Sequence, residues 1–247
     1  GPSRGTVFVV HGYLSHALDL ASLIRALLME GYAVVAPELP GHGLSGGVRG
    51  GIDGFGGYGR FLAQTVAAVD GIVPTPYHAV GHSTGAPAIY EAIKEGNDPF
   101  DRIVFAAPLV RNRLYRAAVV GRFLTRPFIT TAPTKYDGPL RVDRMPLSWF
   151  DAQIAWNREL DRDRILPRPV LILQGNRDRV VAWRYNRSVL LDIFPNAEYI
   201  VVAGASHVLF QEEPSIRRDV LRRTIEYLAG GSAGAERAAR PNDAHRG

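Results

Sequence analysis

The order of apolar segments predicts an α/β fold, a mostly parallel central sheet with helices on both faces. Three observations carry this reading. Apolar runs of strand length alternate with stretches whose apolar residues recur at helical spacing. The runs are continuously apolar, as buried parallel strands are. Glycine-bearing loops follow the first three of them, where a chain must turn sharply at a sheet edge. At 247 residues, 46% hydrophobic and 21% charged, the chain suits one large domain or a core with a modest insertion.

Taken in order, Thr6–Val10 is the first strand and runs into His11-Gly12. Leu20, Ile24, Leu27 and Leu28 define a helix closed by Gly31, and 33–36 is a second strand. It leads into the loop Pro40-Gly41-His42-Gly43-Leu44-Ser45-Gly46-Gly47. Phe55, Tyr58, Phe61, Leu62, Thr65, Val66 and Val69 line one helix face. A strand at 77–80 precedes Gly81-His82-Ser83-Thr84-Gly85, and a helix follows over 86–94. Strands at 103–107, 170–173 and 199–202 and helices at Trp183–Ile193 and 216–228 complete the alternation. Residues 1–108 and 166–229 thus form the core. The alternation stops over 109–165, which reads as a helical or irregular insertion covering the sheet. Residues 230–247, rich in Gly, Ala and Arg, have the composition of a disordered tail.

Several function classes fall away on composition. Cysteine is absent, which excludes disulfides, thiolate metal sites and a cysteine nucleophile. The histidines have no metal-ligand spacing, so no metal is expected. The loop at 40–47 lacks the Gly-Lys-Ser/Thr ending of a phosphate loop and does not open a helix, so no nucleotide cofactor is expected. The net charge is +5, and 27 of the 29 basic residues are arginine, only Lys94 and Lys135 being lysine. No basic patch interleaved with aromatics accompanies them, which argues against nucleic-acid binding. No apolar run reaches the roughly 18 residues of a membrane span. No signal peptide opens the chain, and a cytoplasmic location is expected. Oligomeric state is not legible.

The chemistry is carried by Gly81-His82-Ser83-Thr84-Gly85. G-x-S-x-G after a strand and before a helix is the nucleophile elbow, in which a serine sits on a turn too tight for side chains two residues to either side. A glycine-rich chain can produce this pattern by accident, so the partners decide. A serine hydroxyl needs a base, and the base needs an orienting carboxylate. Beyond Ser83 the only histidines are His207, directly after the last strand, and His245, in the tail. His207 is therefore the expected base. Asp178, just past the penultimate strand, is the expected acid, with Asp163 and Asp192 as weaker substitutes. The competing role for Asp178 is pairing with Arg177 or Arg179. Backbone N–H groups of Tyr13 and Thr84 are the expected oxyanion donors. His11 is expected to brace the loop carrying Tyr13, with His82 and His42 serving elbow packing and loop architecture.

With these residues in place the chain resembles the α/β-hydrolase superfamily, and within it the monoacylglycerol lipase and lysophospholipase-like serine hydrolases. The narrower likeness rests on His11-Gly12; on 41–47 continuing to Arg49 and Asp53-Gly54-Phe55; on the Gly-His-Ser-x-Gly elbow; and on His207-Val208-Leu209 followed by Glu212 and Pro214. The resemblance implies hydrolysis of a carboxylic ester through an acyl-enzyme, with monoacylglycerol- or lysophospholipid-like substrates and no cofactor. It also implies that the insertion is a cap forming the acyl pocket. The same triad serves thioesterases, short-peptide hydrolases and carbon–carbon bond hydrolases; a non-catalytic binding protein on this scaffold would need a broken triad. The sequence departs from the pattern at Thr84, where methionine is common, and at Glu38, where aspartate is common. Because the chain opens almost at Thr6, the one or two edge strands usual before it are expected to be missing or truncated.

In the insertion, Leu114, Tyr115, Ala118, Val119, Phe123 and Leu124 mix with Arg111, Arg113, Arg116, Arg122 and Arg126. This basic amphipathic stretch fits either weak peripheral contact with a lipid surface or a helix packed on the core with its arginines in water. Phe128, Trp149, Phe150 and Trp156 are candidate acyl-pocket residues, with a small core of the cap itself as the alternative.

Overall fold

Strand β1 (Thr6–Val10) is wholly buried, and its side chains alternate between two separate cores, Val7 and Val9 on one face and Phe8 and Val10 on the other. The computed structural model that shows this describes residues 3–96, 98–125, 129–135, 138–162 and 164–232. Five more strands join β1: β2 (Ala33–Val35), β3 (Tyr77–His82), β4 (Phe100–Ala106) and, beyond a ribbon of β5 (Thr131–Pro133) and β6 (Arg144–Pro146), β7 (Leu171–Gly175) and β8 (Glu198–Val202). The main sheet has the order β2-β1-β3-β4-β7-β8 with every neighbouring pair parallel.

Seven α-helices are seen among the described residues. Helices α1 (Ala21–Met29) and α7 (Pro214–Leu228) cover the Val7 face through Leu23, Leu27, Val220 and Tyr227. Helices α2 (Gly56–Val69), α3 (Gly85–Ile93) and α6 (Trp183–Ile193) cover the Phe8 face through Tyr58, Leu62, Ile89, Ile93, Val189 and Ile193. Truncating any of these large side chains would cost about 2–5 kcal/mol, the usual range for a cavity in a packed core. The remaining helices, α4 (Tyr115–Thr125) and α5 (Ser148–Glu159), lie between β4 and β7.

The strand order fixes where loops meet. From β1 the chain steps outward to β2 and then returns to the opposite side of β1 as β3. At such a switch point the loops leaving neighbouring strands diverge and open a crevice at the carboxyl edge. Val10 pairs with Gly81, so His11-Gly12-Tyr13 leaves β1 beside the turn that leaves β3.

Several element bounds shift by one to three residues, and two differences from the sequence reading have a clear physical reason. Strand β4 starts at Phe100 instead of 103, because Asp101 and Arg102 break the apolar run while Arg102 continues the pairing with β3. The segment between β4 and β7 is not only helical or irregular, since β5 and β6 pair antiparallel. Three-residue strands ending in proline carry too little periodicity to be read from sequence.

Candidate active site

The turn after β3 is built by steric exclusion. A Cβ on Gly81 would stand 2.6 Å from the Gly85 carbonyl carbon, and one on Gly85 would stand 2.2 Å from the Val10 carbonyl oxygen. Between them Ser83 is held at φ +51°, a left-handed conformation that costs a non-glycine residue of order 1 kcal/mol. Its N–H donates to the Ala106 carbonyl at 2.9 Å, and its own carbonyl accepts from Ala86 and Leu109 at 3.1 Å each. These bonds offset the strain and present the hydroxyl at the sheet edge.

Two loops at the same edge bring up the other side chains. The loops after β7 and β8 are stitched together by the Arg177 N–H, which donates to the Ala205 carbonyl at 2.9 Å. Gly175 permits this approach, because a Cβ there would lie 2.2 Å from the Ser206 carbonyl oxygen. The outcome is a chain of hydrogen bonds: His207 Nδ1 stands 2.8 Å from Asp178 Oδ2, and His207 Nε2 stands 3.0 Å from Ser83 Oγ. A carboxylate can only accept, so Nδ1 carries the proton and Nε2 is left to accept from the serine hydroxyl.

Asp178 is buried and fully engaged. Oδ1 accepts from the Val180 and Val181 N–H groups at 2.8 and 3.1 Å, and Oδ2 also accepts from Gln174 Nε2 at 3.0 Å. Burial alone would raise its pKa, but the bond from His207, that residue's charge and the two N–H donors together hold it below the ordinary carboxylate value. His82 donates from Nε2 to the His207 carbonyl at 3.0 Å. Burial, reinforced by repulsion from His207, lowers the His82 pKa to about 3, so its ring is a neutral strut under the histidine loop.

The loop after β1 has its own supports. His11 Nδ1 donates to the Gly12 carbonyl at 2.8 Å and its Nε2 accepts from the Leu39 N–H at 3.0 Å. His42 Nε2 accepts from the Leu14 N–H at 3.2 Å, and its Nδ1 donates to the Pro40 carbonyl at 3.0 Å. The carbonyl and N–H of one trans peptide point in opposite directions. Holding the Gly12 carbonyl toward His11 therefore turns the Tyr13 N–H the other way. Neither the Tyr13 nor the Thr84 N–H donates to an acceptor among the described residues. A Cβ on Gly12 would lie 3.1 Å from Ser83 Cβ, so glycine keeps this loop close to the serine.

Compared with known proteins, residues 1–148 match the model of the S33 family, described as serine aminopeptidase. The chain belongs to that family. Its fold is the α/β-hydrolase fold. Over 91% of this chain it is 25% identical to a monoglyceride lipase homolog of Monkeypox virus, covering 89% of that protein. It is 24% identical to esterase YbfF of Escherichia coli, covering 92% of this chain and 94% of the esterase. The crystal structure of Paleococcus ferrophilus monoacylglycerol lipase superposes with a TM-score of 0.73 at 22% identity, covering 93% and 95% of the two chains. The matched family segment contains Ser83 and Tyr13 but stops short of Asp178 and His207, whose juxtaposition rests on the geometry above.

Not every expected residue joins the site. Phe128 and Asp163 lie outside the described residues. Asp192 is exposed on α6 and paired with Arg162. Trp149 is buried, stacks on Tyr13 with ring centroids 3.9 Å apart, and donates to Tyr58 Oη at 3.1 Å. Phe150 packs edge-on against it. Trp156 is buried, donates to Glu91 Oε1 at 2.9 Å and stacks on Phe55. It also borders a small apolar cavity with Ala86, Tyr90, Leu109 and Leu190. The sequence reading missed Gln174, whose signal was a lone polar residue at the end of an apolar run. It also missed that Glu212 accepts from the Ser206 N–H at 2.5 Å, clamping the histidine loop.

Proposed function

We propose that the chain is a carboxylic ester hydrolase working through an acyl-enzyme, with monoacylglycerol- or lysophospholipid-like esters as substrates. The observation that carries the proposal is the Ser83–His207–Asp178 chain, with contacts of 3.0 and 2.8 Å, set at a strained elbow. Ser83 Oγ attacks the ester carbonyl carbon while its proton passes to His207 Nε2. The resulting oxyanion is held by the Tyr13 and Thr84 N–H groups, the latter at the positive end of α3. Collapse expels the alcohol, which takes the proton from His207. Water then attacks the acyl-enzyme with His207 as base, releasing the acid and restoring Ser83. Asp178 stays ionised throughout and stabilises the imidazolium.

Substrate class is supported by the names borne by the relatives. The segment 109–165 would act as a cap over the site. Consistent with that, Trp149 lies on Tyr13, and Arg141 grips Asp19 through two bonds of 2.6 and 2.7 Å. Helix α4 buries none of its side chains, and Leu114, Val120, Phe123 and Leu124 are exposed beside Arg113 and Arg116. That surface would make weak contact with a lipid interface holding the substrate. No helix among the described residues is long and apolar enough to cross a membrane.

The family's description makes peptide hydrolysis the second reading. Ser83→Ala should abolish turnover of p-nitrophenyl esters and labelling by a fluorophosphonate while leaving the fold intact; retained labelling would overturn the assignment. A panel of esters with two to sixteen acyl carbons, a monoacylglycerol, lysophosphatidylcholine and an aminoacyl anilide then ranks the readings. Preference for the anilide would replace ester with peptide as the substrate.

A further inference from the structure

A cleft of about 870 Å³ is lined by the loop between β7 and α6, with Asp178 and Ser206 in its wall. Four arginines line it: Arg113, Arg177, Arg179 and Arg184. Several arginines elsewhere face carboxylates, as Arg122 does Asp151, Arg141 does Asp19 and Arg222 does Asp219 and Glu226. None of the four cleft guanidiniums pairs with a carboxylate among the described residues. The one carboxylate in the wall is closed to them, because both Asp178 oxygens are occupied by His207, Gln174 and two backbone N–H groups. Four guanidiniums thus share a cleft with one carboxylate, and most of their positive charge is uncompensated there.

Two further features point the same way. Helix α6 begins at the cleft, with its first three residues in the lining, and Ala182 at its N-cap has no side-chain oxygen for the first-turn N–H groups. One of the four, Arg184, lies 4.3 Å over the Trp183 ring, and Arg111, next to the cleft, lies 4.0 Å over Tyr185. Guanidinium groups bind the oxygens of a tetrahedral oxyanion through paired N–H donors, and four cations exceed what one carboxylate ligand would neutralise.

We infer that this cleft binds a phosphate-type anion, either free or as the headgroup of an anionic lipid. The inference does not depend on Ser83 chemistry, because neither Ser83 nor His207 lines the cleft.

Binding of inorganic phosphate by the Ser83→Ala protein, measured by calorimetry at low ionic strength, tests it without reference to turnover. Saturable binding is expected, weakened about tenfold or more by Arg177→Gln with Arg179→Gln. It should change less than about twofold in a charge-matched control, Arg25→Gln with Arg218→Gln, two exposed arginines on α1 and α7. Co-sedimentation with phosphatidylglycerol vesicles, against phosphatidylcholine vesicles, separates the sources. Vesicle binding lost in the cleft pair and displaced by phosphate assigns a lipid headgroup, whereas phosphate binding without vesicle binding assigns a free anion. Absence of saturable phosphate binding, or equal weakening in both pairs, overturns the proposal. If Ser83→Ala kept its esterase activity while phosphate still bound, the ester-hydrolase reading would fall and this one would stand.

Discussion

At the scale of single residues, the site is an exercise in controlling where protons and N–H groups point. Asp178 permits only the Nδ1–H form of His207, so neutralising the carboxylate removes the reason for that tautomer. Asp178→Asn is expected to lower kcat by about 10⁴-fold, the loss typical of a neutralised triad acid, with KM nearly unchanged. Steady-state kinetics on a soluble ester checks this. His11 acts one step further out, through the Gly12 peptide and not on substrate. His11→Ala should therefore lower kcat about 10- to 100-fold and leave fluorophosphonate labelling detectable, because one of two oxyanion donors is misaimed while the nucleophile is intact. Equal kcat in the variant would remove His11 from the oxyanion support.

At the scale of elements, the turns decide more than the helices. Gly85 lies where α3 meets β1, and a Cβ there would overlap the Val10 carbonyl oxygen at 2.2 Å. Backbone cannot move aside cheaply, so Gly85→Ala should lower stability by about 3 kcal/mol or more, read as a shifted urea midpoint. Helix α5 reaches the oxyanion loop through Trp149, stacked 3.9 Å from Tyr13. Trp149→Ala should cost about 3–5 kcal/mol and also lower kcat, whereas Trp149→Phe keeps a ring on Tyr13 and should restore most of the kcat. A kcat unchanged in the alanine variant would make Trp149 a packing residue only.

At the scale of the whole molecule, pH couples to stability through buried neutral histidines. Burial lowers His82 to about 3 and, with repulsion from His11, lowers His42 to about 4, from an ordinary value of 6.5. Between pH 6.5 and about 4 the unfolded chain therefore binds protons that the folded chain does not. Stability is greatest above 6.5 and falls as the pH drops through that window, by about 1.4 kcal/mol per pH unit for each histidine. Asp178 and Asp19, held below the ordinary carboxylate value, add their loss only at lower pH, as they protonate. Urea titrations between pH 5 and 6.5 should show this slope, and His82→Asn should reduce it by about one proton. A slope unchanged in that variant would mean that His82 titrates normally in the fold.

How much of this was readable in advance follows from range. The strands were legible because a buried parallel strand is apolar at every position, and the elbow because its glycines answer a local steric demand within five residues. Chain order alone pointed to Ser83, Asp178 and His207 as a set, since each follows a strand of one parallel sheet and so emerges at one edge. The sequence by itself determined the fold class and the chemical types at that edge. Only the tertiary structure decided their distances, the support of Asp178 by Gln174 and of the His207 loop by His82 and Glu212, the engagement of Trp149 and Trp156 in packing, and the arginines of the cleft beside the acid loop that pair with no carboxylate among the described residues. Some of these contacts are local, as Gln174 to Asp178 and Glu212 to Ser206 are, but His82 meets the His207 loop and Trp149 meets Tyr13 across more than a hundred positions, and no local periodicity encodes which side chains such contacts bring together.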